Sequence, residues 1–156
     1  MKANIVHKDA FYVAGLTLLT FPADPKIPEL WDKFFLSGLF EKLRKLGKGE
    51  SLGVCYAKSK EPRFRYMAGV TVDTIKPAVE AGAEVLHISE ADYMIVPCKG
   101  PVPQCIQDAY KAADKLLADA GVRMSMSPEI EHYFEGDLNS ADYEMELWLP
   151  VEKVTL

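Results

Sequence analysis

Two apolar rhythms run along this chain and follow each other in the same order twice. Phe11 to Phe21 is rich in β-branched, aromatic and apolar residues and predicts a strand, bent at Gly15. Pro22-Ala23-Asp24-Pro25 ends it. Ile27, Leu30, Trp31, Phe34 and Phe35 then recur at helical spacing, with Pro28 near the first turn. Ser37-Gly38 interrupts this helix. Leu39, Phe40, Leu43 and Leu46 continue its stripe until Gly47 and Gly49 stop it. Leu52 to Ala57 and Arg63 to Thr74 predict two strands of a hairpin, joined by the polar turn Lys58 to Pro62.

The order then repeats. Ala83 to Ile88 predicts a short strand and Asp92 to Lys99 a longer one. Gly100-Pro101 leads into a helix from about Val102 to Ala120. Its stripe is Val102, Ile106, Ala109, Tyr110, Ala113, Leu116 and Leu117, and Gly121 ends it. Ser127 to Glu135 and Asp142 to Val151 predict a second hairpin across the turn-rich Gly136-Asp137-Leu138-Asn139-Ser140. The last strands of the two halves, Phe64 to Val70 and Tyr143 to Leu149, match in position more than in letters. The prediction is an α+β fold of two pseudo-symmetric β-α-β-β repeats in one domain, 1–74 and 83–156, with a linker over about 75–82. Helices cover one face of each antiparallel sheet. The uncovered faces then need company, and a ligand groove between the halves is the expected consequence.

The second hairpin carries the candidate chemistry. Strand alternation puts Glu129, Glu131 and Tyr133 on one face of the first strand, and Glu144, Glu146 and Trp148 on one face of the second. Carboxylates among aromatic rings suit a flat, apolar, cationic molecule. Glu131 and Glu146 are the candidate acids. Glu129 and Glu144, nearer the strand starts, are expected in solvent. Trp148 and Trp31 are candidate aromatic walls, although Trp31 also fits the core stripe of its helix. Tyr66, Tyr93 and Tyr133 are candidates for stacking or for hydrogen bonding. His132 is expected to point away from Glu131. The spacing of His7, His87 and His132 gives no metal-ligand motif, so no metal is expected.

Composition narrows the classes. Of 156 residues, 49% are hydrophobic, which supports a core and argues against disorder. The net charge of −5 argues against direct nucleic-acid binding, which needs a concentrated basic patch. The densest basic run, Lys42, Arg44, Lys45 and Lys48, reads as the solvated side of a helix end. Three cysteines without CxxC spacing argue against a disulfide framework or a zinc site. No apolar run approaches the roughly 20 residues of a membrane span. No signal-peptide pattern follows Met1. A cytoplasmic protein is the default expectation. No Walker loop, dinucleotide fingerprint or nucleophile elbow is present, so no cofactor is expected.

Several short motifs, taken in order, resemble the GyrI-like small-molecule-binding family. Leu30-Trp31-Asp32-Lys33-Phe34 resembles its Leu-Trp-x-x-Phe helix. Leu52 to Tyr56 and Phe64-Arg65-Tyr66-Met67-Ala68-Gly69-Val70 resemble its Tyr-Gly-Val and Phe-x-Tyr-x-Ala-x-Val strands. Ala91 to Val96 with Lys99-Gly100-Pro101 resembles the entry to its second helix. Ile130-Glu131-His132-Tyr133 resembles its Phe-Glu-x-Tyr, and Trp148 to Val151 its closing strand. The chain departs from the family at Ala91, often Gly there, and lacks its Trp-Leu-Pro at the end of the second helix. No helix-turn-helix pattern flanks these motifs, which implies a stand-alone protein.

The resemblance implies a small-molecule binder for hydrophobic or cationic compounds, with Glu131 as the cavity glutamate. It also implies two alternatives. One is hydrolysis of strained cyclopropane rings in genotoxic natural products, with Glu131 and Glu146 as an acid–base pair. The other is inhibition of a larger partner such as DNA gyrase. A homodimer contact stays open beside these.

Overall fold

The computed structural model describes residues 2–58 and 62–154. It divides into two compact units: a mid-chain unit, Ala10–Ser89, and a split unit, Met1–Asp9 with Glu90–Leu156. Each is an antiparallel sheet with helices on one face, so the fold is α+β. The expected Lys58–Pro62 turn lies partly outside the described residues.

The mid-chain unit contains β2 (Phe11–Thr20), α1 (Lys26–Leu36), α2 (Leu39–Leu43), β3 (Ser51–Tyr56), β4 (Phe64–Val72), α3 (Lys76–Glu80) and β5 (Glu84–Ile88). Its strand order is β3-β4-β2-β5. The two long strands pair from Tyr12↔Val72 to Thr20↔Phe64. Alternation sends Ala14, Tyr66, Ala68 and Val70 toward Phe34, Leu39 and Leu43 of the helices. Gly38, at φ +81, breaks the stripe into α1 and α2, since that backbone region is costly for side-chain-bearing residues. Gly15 sits directly across from Gly69, and a Cβ at Gly15 would lie 1.9 Å from the Ala68 carbonyl oxygen. The glycine there permits a close approach of backbones. The predicted linker at 75–82 contains α3.

The split unit contains β1 (Asn4–Lys8), β6 (Ala91–Lys99), α4 (Gln104–Ala120), β7 (Val122–Met124), β8 (Glu129–Tyr133) and β9 (Glu144–Lys153). Strand order is β1-β6-β9-β8, and β7 also pairs with β9. The stripe of α4 buries Cys105, Ile106, Ala109, Ala113 and Leu117 against Met94, Val96, Cys98, Met145, Leu147 and Leu149. Each large apolar side chain in such a core contributes about 1.5–3 kcal/mol by leaving water. Gly121, at φ 69, closes the helix in the left-handed conformation. All three cysteines are buried and outside any disulfide among the described residues. Among the described residues no helix is long and apolar enough to cross a membrane.

Candidate functional site

The register of β9 decides which predicted residues meet. Met145, Leu147 and Leu149 face α4, so Glu146 and Trp148 face the other way. On β8, Ile130 pairs with Trp148 and His132 with Glu146. On β6, Ile95 pairs with Trp148 and Tyr93 with Pro150. On β1, Val6 pairs with Tyr93 and Lys8 with Ala91. Paired residues project to the same side of a sheet. The helix-free face of the split unit therefore gathers Lys8, Tyr93, His132, Glu146 and Trp148.

These groups form one connected cluster. The Trp148 indole Nε1–H donates to Glu146 Oε1 at 3.0 Å. His132 Nδ1 lies 3.4 Å from the same oxygen. The His132 ring stands edge-on to Trp148 at 5.4 Å and to Phe134 at 4.8 Å between centroids. Tyr93 packs tilted against Trp148 at 5.8 Å. The Lys8 ammonium sits 4.6 Å from the Trp148 ring centroid, in cation–π range. Trp148 is 4% exposed and Tyr93 is 0% exposed. The Tyr93 hydroxyl is buried with no hydrogen-bond partner among the described residues. Burial alone pushes its pKa up to about 12, so it stays a neutral donor.

The opposite face holds the other predicted acid. Glu131 pairs with Leu147, which belongs to the core under α4. Its carboxylate accepts from the Tyr133 hydroxyl at 2.9 Å. Two residues earlier, Glu129 Oε1 accepts from the Tyr110 hydroxyl of α4 at 2.8 Å. Glu129 is buried, contrary to the solvent position expected from its place at the strand start. Its side chain points at a helix, and that direction outweighs nearness to the strand end. Burial pushes the nearby Cys98 thiol up to about 12, with Cys105 next in effect and the carboxylates of Glu131 and Glu146 adding to it. The Cys98 thiol is therefore a poor nucleophile.

The two carboxylate–aromatic sets read from the hairpin thus lie on opposite faces of one sheet. Glu131 and Glu146 cannot touch one reacting group together, because the period of two and the Glu131↔Leu147 pairing point them apart. In the mid-chain unit Trp31 and Tyr66 meet each other: the indole N–H donates to the Tyr66 hydroxyl at 2.9 Å. Both lie on the helix side, where Trp31 also stacks on Phe35 at 5.8 Å. A separate hollow of about 200 Å³ in that unit is lined by Leu16, Lys33, Ser37, Leu39, Lys42 and Ala81 and holds none of the predicted residues.

Sequence reasoning left Lys8 and His132 out of the site. Alternation already sent His132 away from Glu131, but only the register of β8 on β9 sets it beside Glu146. Lys8 lies on β1, whose five residues gave no local signal. Away from that face, strand pairing also gathers one imidazole and two carboxylates. His7, Asp9 and Glu90, all exposed, bring their ligand atoms within 4.8 Å of one another. His7 Nδ1 is 2.8 Å from Asp92 Oδ1. That hydrogen bond is the main cause of a raised His7 pKa. Desolvation opposes it, and the charges of Asp92, Glu90 and Asp9 reinforce it.

Comparison with known proteins adds the family context. A family described as the GyrI-like small molecule binding domain matches residues 1–152. The transcriptional regulator BrlR of Pseudomonas aeruginosa is 27% identical over 154 residues, covering 97% of this chain and 56% of the regulator. The chain thus spans about half the length of this curated relative. The structure of SAV2435 bound to tetraphenylphosphonium superposes with a TM-score of 0.80 at 21% identity, covering 97% of this chain and 94% of that one. A hydrolase from Listeria innocua, encoded by lin2189, gives 0.63 at 11% identity, covering 97% and 92%. At these identities the two structures speak for the fold alone.

Proposed function

Starting from the fact that this chain belongs to the GyrI-like small-molecule-binding family, we propose that it captures bulky or flat hydrophobic organic cations on the helix-free face of the split unit. Glu146 is the counter-charge, and Trp148 and Tyr93 are the aromatic walls. The observation that carries this reading is the Trp148 indole bound to the Glu146 carboxylate at 3.0 Å, with a cation already accepted on the ring face. A carboxylate fixed beside a ring offers a cation two attractions at once. The Coulomb part is about 4 kcal/mol at 4 Å for an effective dielectric near 20, before desolvation is subtracted. The tetraphenylphosphonium bound to SAV2435 is a compound of this class and serves as the probe.

The opposite placement of the two acids makes the test decisive. Calorimetric titration with tetraphenylphosphonium should show Glu146→Gln weakening binding at least about tenfold, or about 1.4 kcal/mol. Glu131→Gln should stay within about twofold. The reverse ranking would move the site to the α4 face and make Glu131 the cavity glutamate.

A second reading is hydrolysis of a reactive electrophile, favoured by one observation. His132 and Glu146 form a histidine–carboxylate pair at 3.4 Å on one face, where the Glu131–Glu146 pair fails geometrically. Such a pair can take a proton from water while the buried Tyr93 hydroxyl donates to developing charge. Product analysis with a cyclopropane-bearing electrophile tests it. Turnover that survives His132→Ala would remove it.

A further inference from the structure

We infer that Lys8 is an internal stand-in for the ligand's cation and thereby sets the charge selectivity of the site. This rests on the binding reading above. Lys8 ends β1, and its pairing with Ala91 directs it to the same face as Val6, Tyr93 and Trp148. Its ammonium could have joined the carboxylates of Asp9, Glu90 and Asp92, which gather around the preceding residue His7. That cluster lies on the His7 side of the strand, and alternation sends Lys8 the other way. Among the described residues no carboxylate pairs with Lys8. Its ammonium instead lies over the face of Trp148, at 4.6 Å.

An aromatic face attracts a cation through its quadrupole, and one indole face has room for one. A ligand cation that uses Trp148 must therefore expel Lys8 or bind beside a like charge, and either way the protein loses a contact that it already has. An anion of the same shape meets no such competitor and is attracted by the ammonium. Lys8 therefore lowers affinity for cations and raises it for anions, which filters weakly cationic molecules out of an otherwise permissive aromatic site.

Tetraphenylphosphonium and tetraphenylborate have nearly the same shape and opposite charge, so they separate charge from bulk. Titrations of wild type, Lys8→Met and Lys8→Arg with both ions form the test. Lys8→Met should bind the phosphonium about tenfold more tightly and the borate several-fold more weakly, and Lys8→Arg should match wild type. In the free protein, the Lys8 methylene protons should be shifted upfield by the Trp148 ring current. They should return to ordinary positions when the phosphonium binds. Tighter binding of both ions by Lys8→Met would mean that only bulk was removed, and would overturn the inference. Unchanged affinities, or no ring-current shift in the free protein, would overturn it too, while phosphonium binding lost in Glu146→Gln would keep the binding reading intact. If neither wild type nor Lys8→Met takes up the phosphonium, the binding reading itself fails.

Discussion

Tyr93→Phe should make the empty protein more stable and the loaded protein less so. The Tyr93 ring is fully buried and its hydroxyl has no partner among the described residues. A buried hydroxyl without a hydrogen bond carries a desolvation cost of about 1–3 kcal/mol by mutational measures. Phenylalanine removes that oxygen and keeps the ring contact with Trp148 at 5.8 Å. The expected gain is about 1 kcal/mol, which for a chain of this size raises Tm by about 2–4 °C. Binding should move the other way. If the hydroxyl finds its partner in the ligand, or in a water carried by it, the variant loses about 0.5–1.5 kcal/mol. That is roughly a two- to thirteen-fold loss of affinity. Circular dichroism melts with and without tetraphenylphosphonium measure both effects on one sample. Ultraviolet titration adds an independent check, because one tyrosine should ionise only near pH 12 in wild type and that step should vanish in the variant. A fall in Tm of more than about 2 °C would show that the hydroxyl is satisfied in the native state and would refute the argument. A rise in Tm with unchanged affinity would remove Tyr93 from the site.

Two further expectations concern the framework. The raised pKa of His7 means that its contribution to folding is fully present below the unfolded value of 6.5 and fades as pH climbs through the higher folded value. An NMR titration should place the His7 midpoint above 6.5, and Asp92→Asn should bring it down. Gly15→Ala should cost at least about 1–3 kcal/mol in denaturant melts, because its Cβ would lie 1.9 Å from the Ala68 carbonyl oxygen and strand backbone must move. A neutral result would mean that the β2–β4 pair yields more easily than its register suggests.

The periodic elements were legible because their signal is local. The α4 stripe of Ile106, Ala109, Ala113 and Leu117 and the alternation of β9 are written within one turn or two residues. The faces of single strands were legible too, and His132 does point away from Glu131. What could not be read was how one strand's faces match the next. Alternation separates Glu131 from His132, but only register assigns His132 rather than Glu131 to Glu146. Register is set by the loop between the strands and by burial, neither of which a pattern of letters fixes. Glu129 shows a related limit, since its burial depends on Tyr110 from another element. Lys8 and Trp148 stand near opposite ends of the chain, and no local rule links them. α3 was hidden in a stretch read as linker, because five residues give too short a period to recognise.

The pairing of β1 with β6 has a consequence for how the molecule is made. His7 and Asp92 are 85 positions apart, so at about 5–20 residues per second on the ribosome the first strand waits roughly 4–17 seconds for its partner. During that delay the whole of Ala10–Ser89 emerges and has all its own strands in hand. The Asn4–Lys8 segment thus finds its place only after Ala10–Ser89 has been made, and until then it is an unpaired edge shielded mainly by Lys8, His7 and Asn4. Ribosome-stalled chains ending before Ala91 should leave those residues open to proteases, and a chaperone that recognises extended strands would find its opening there.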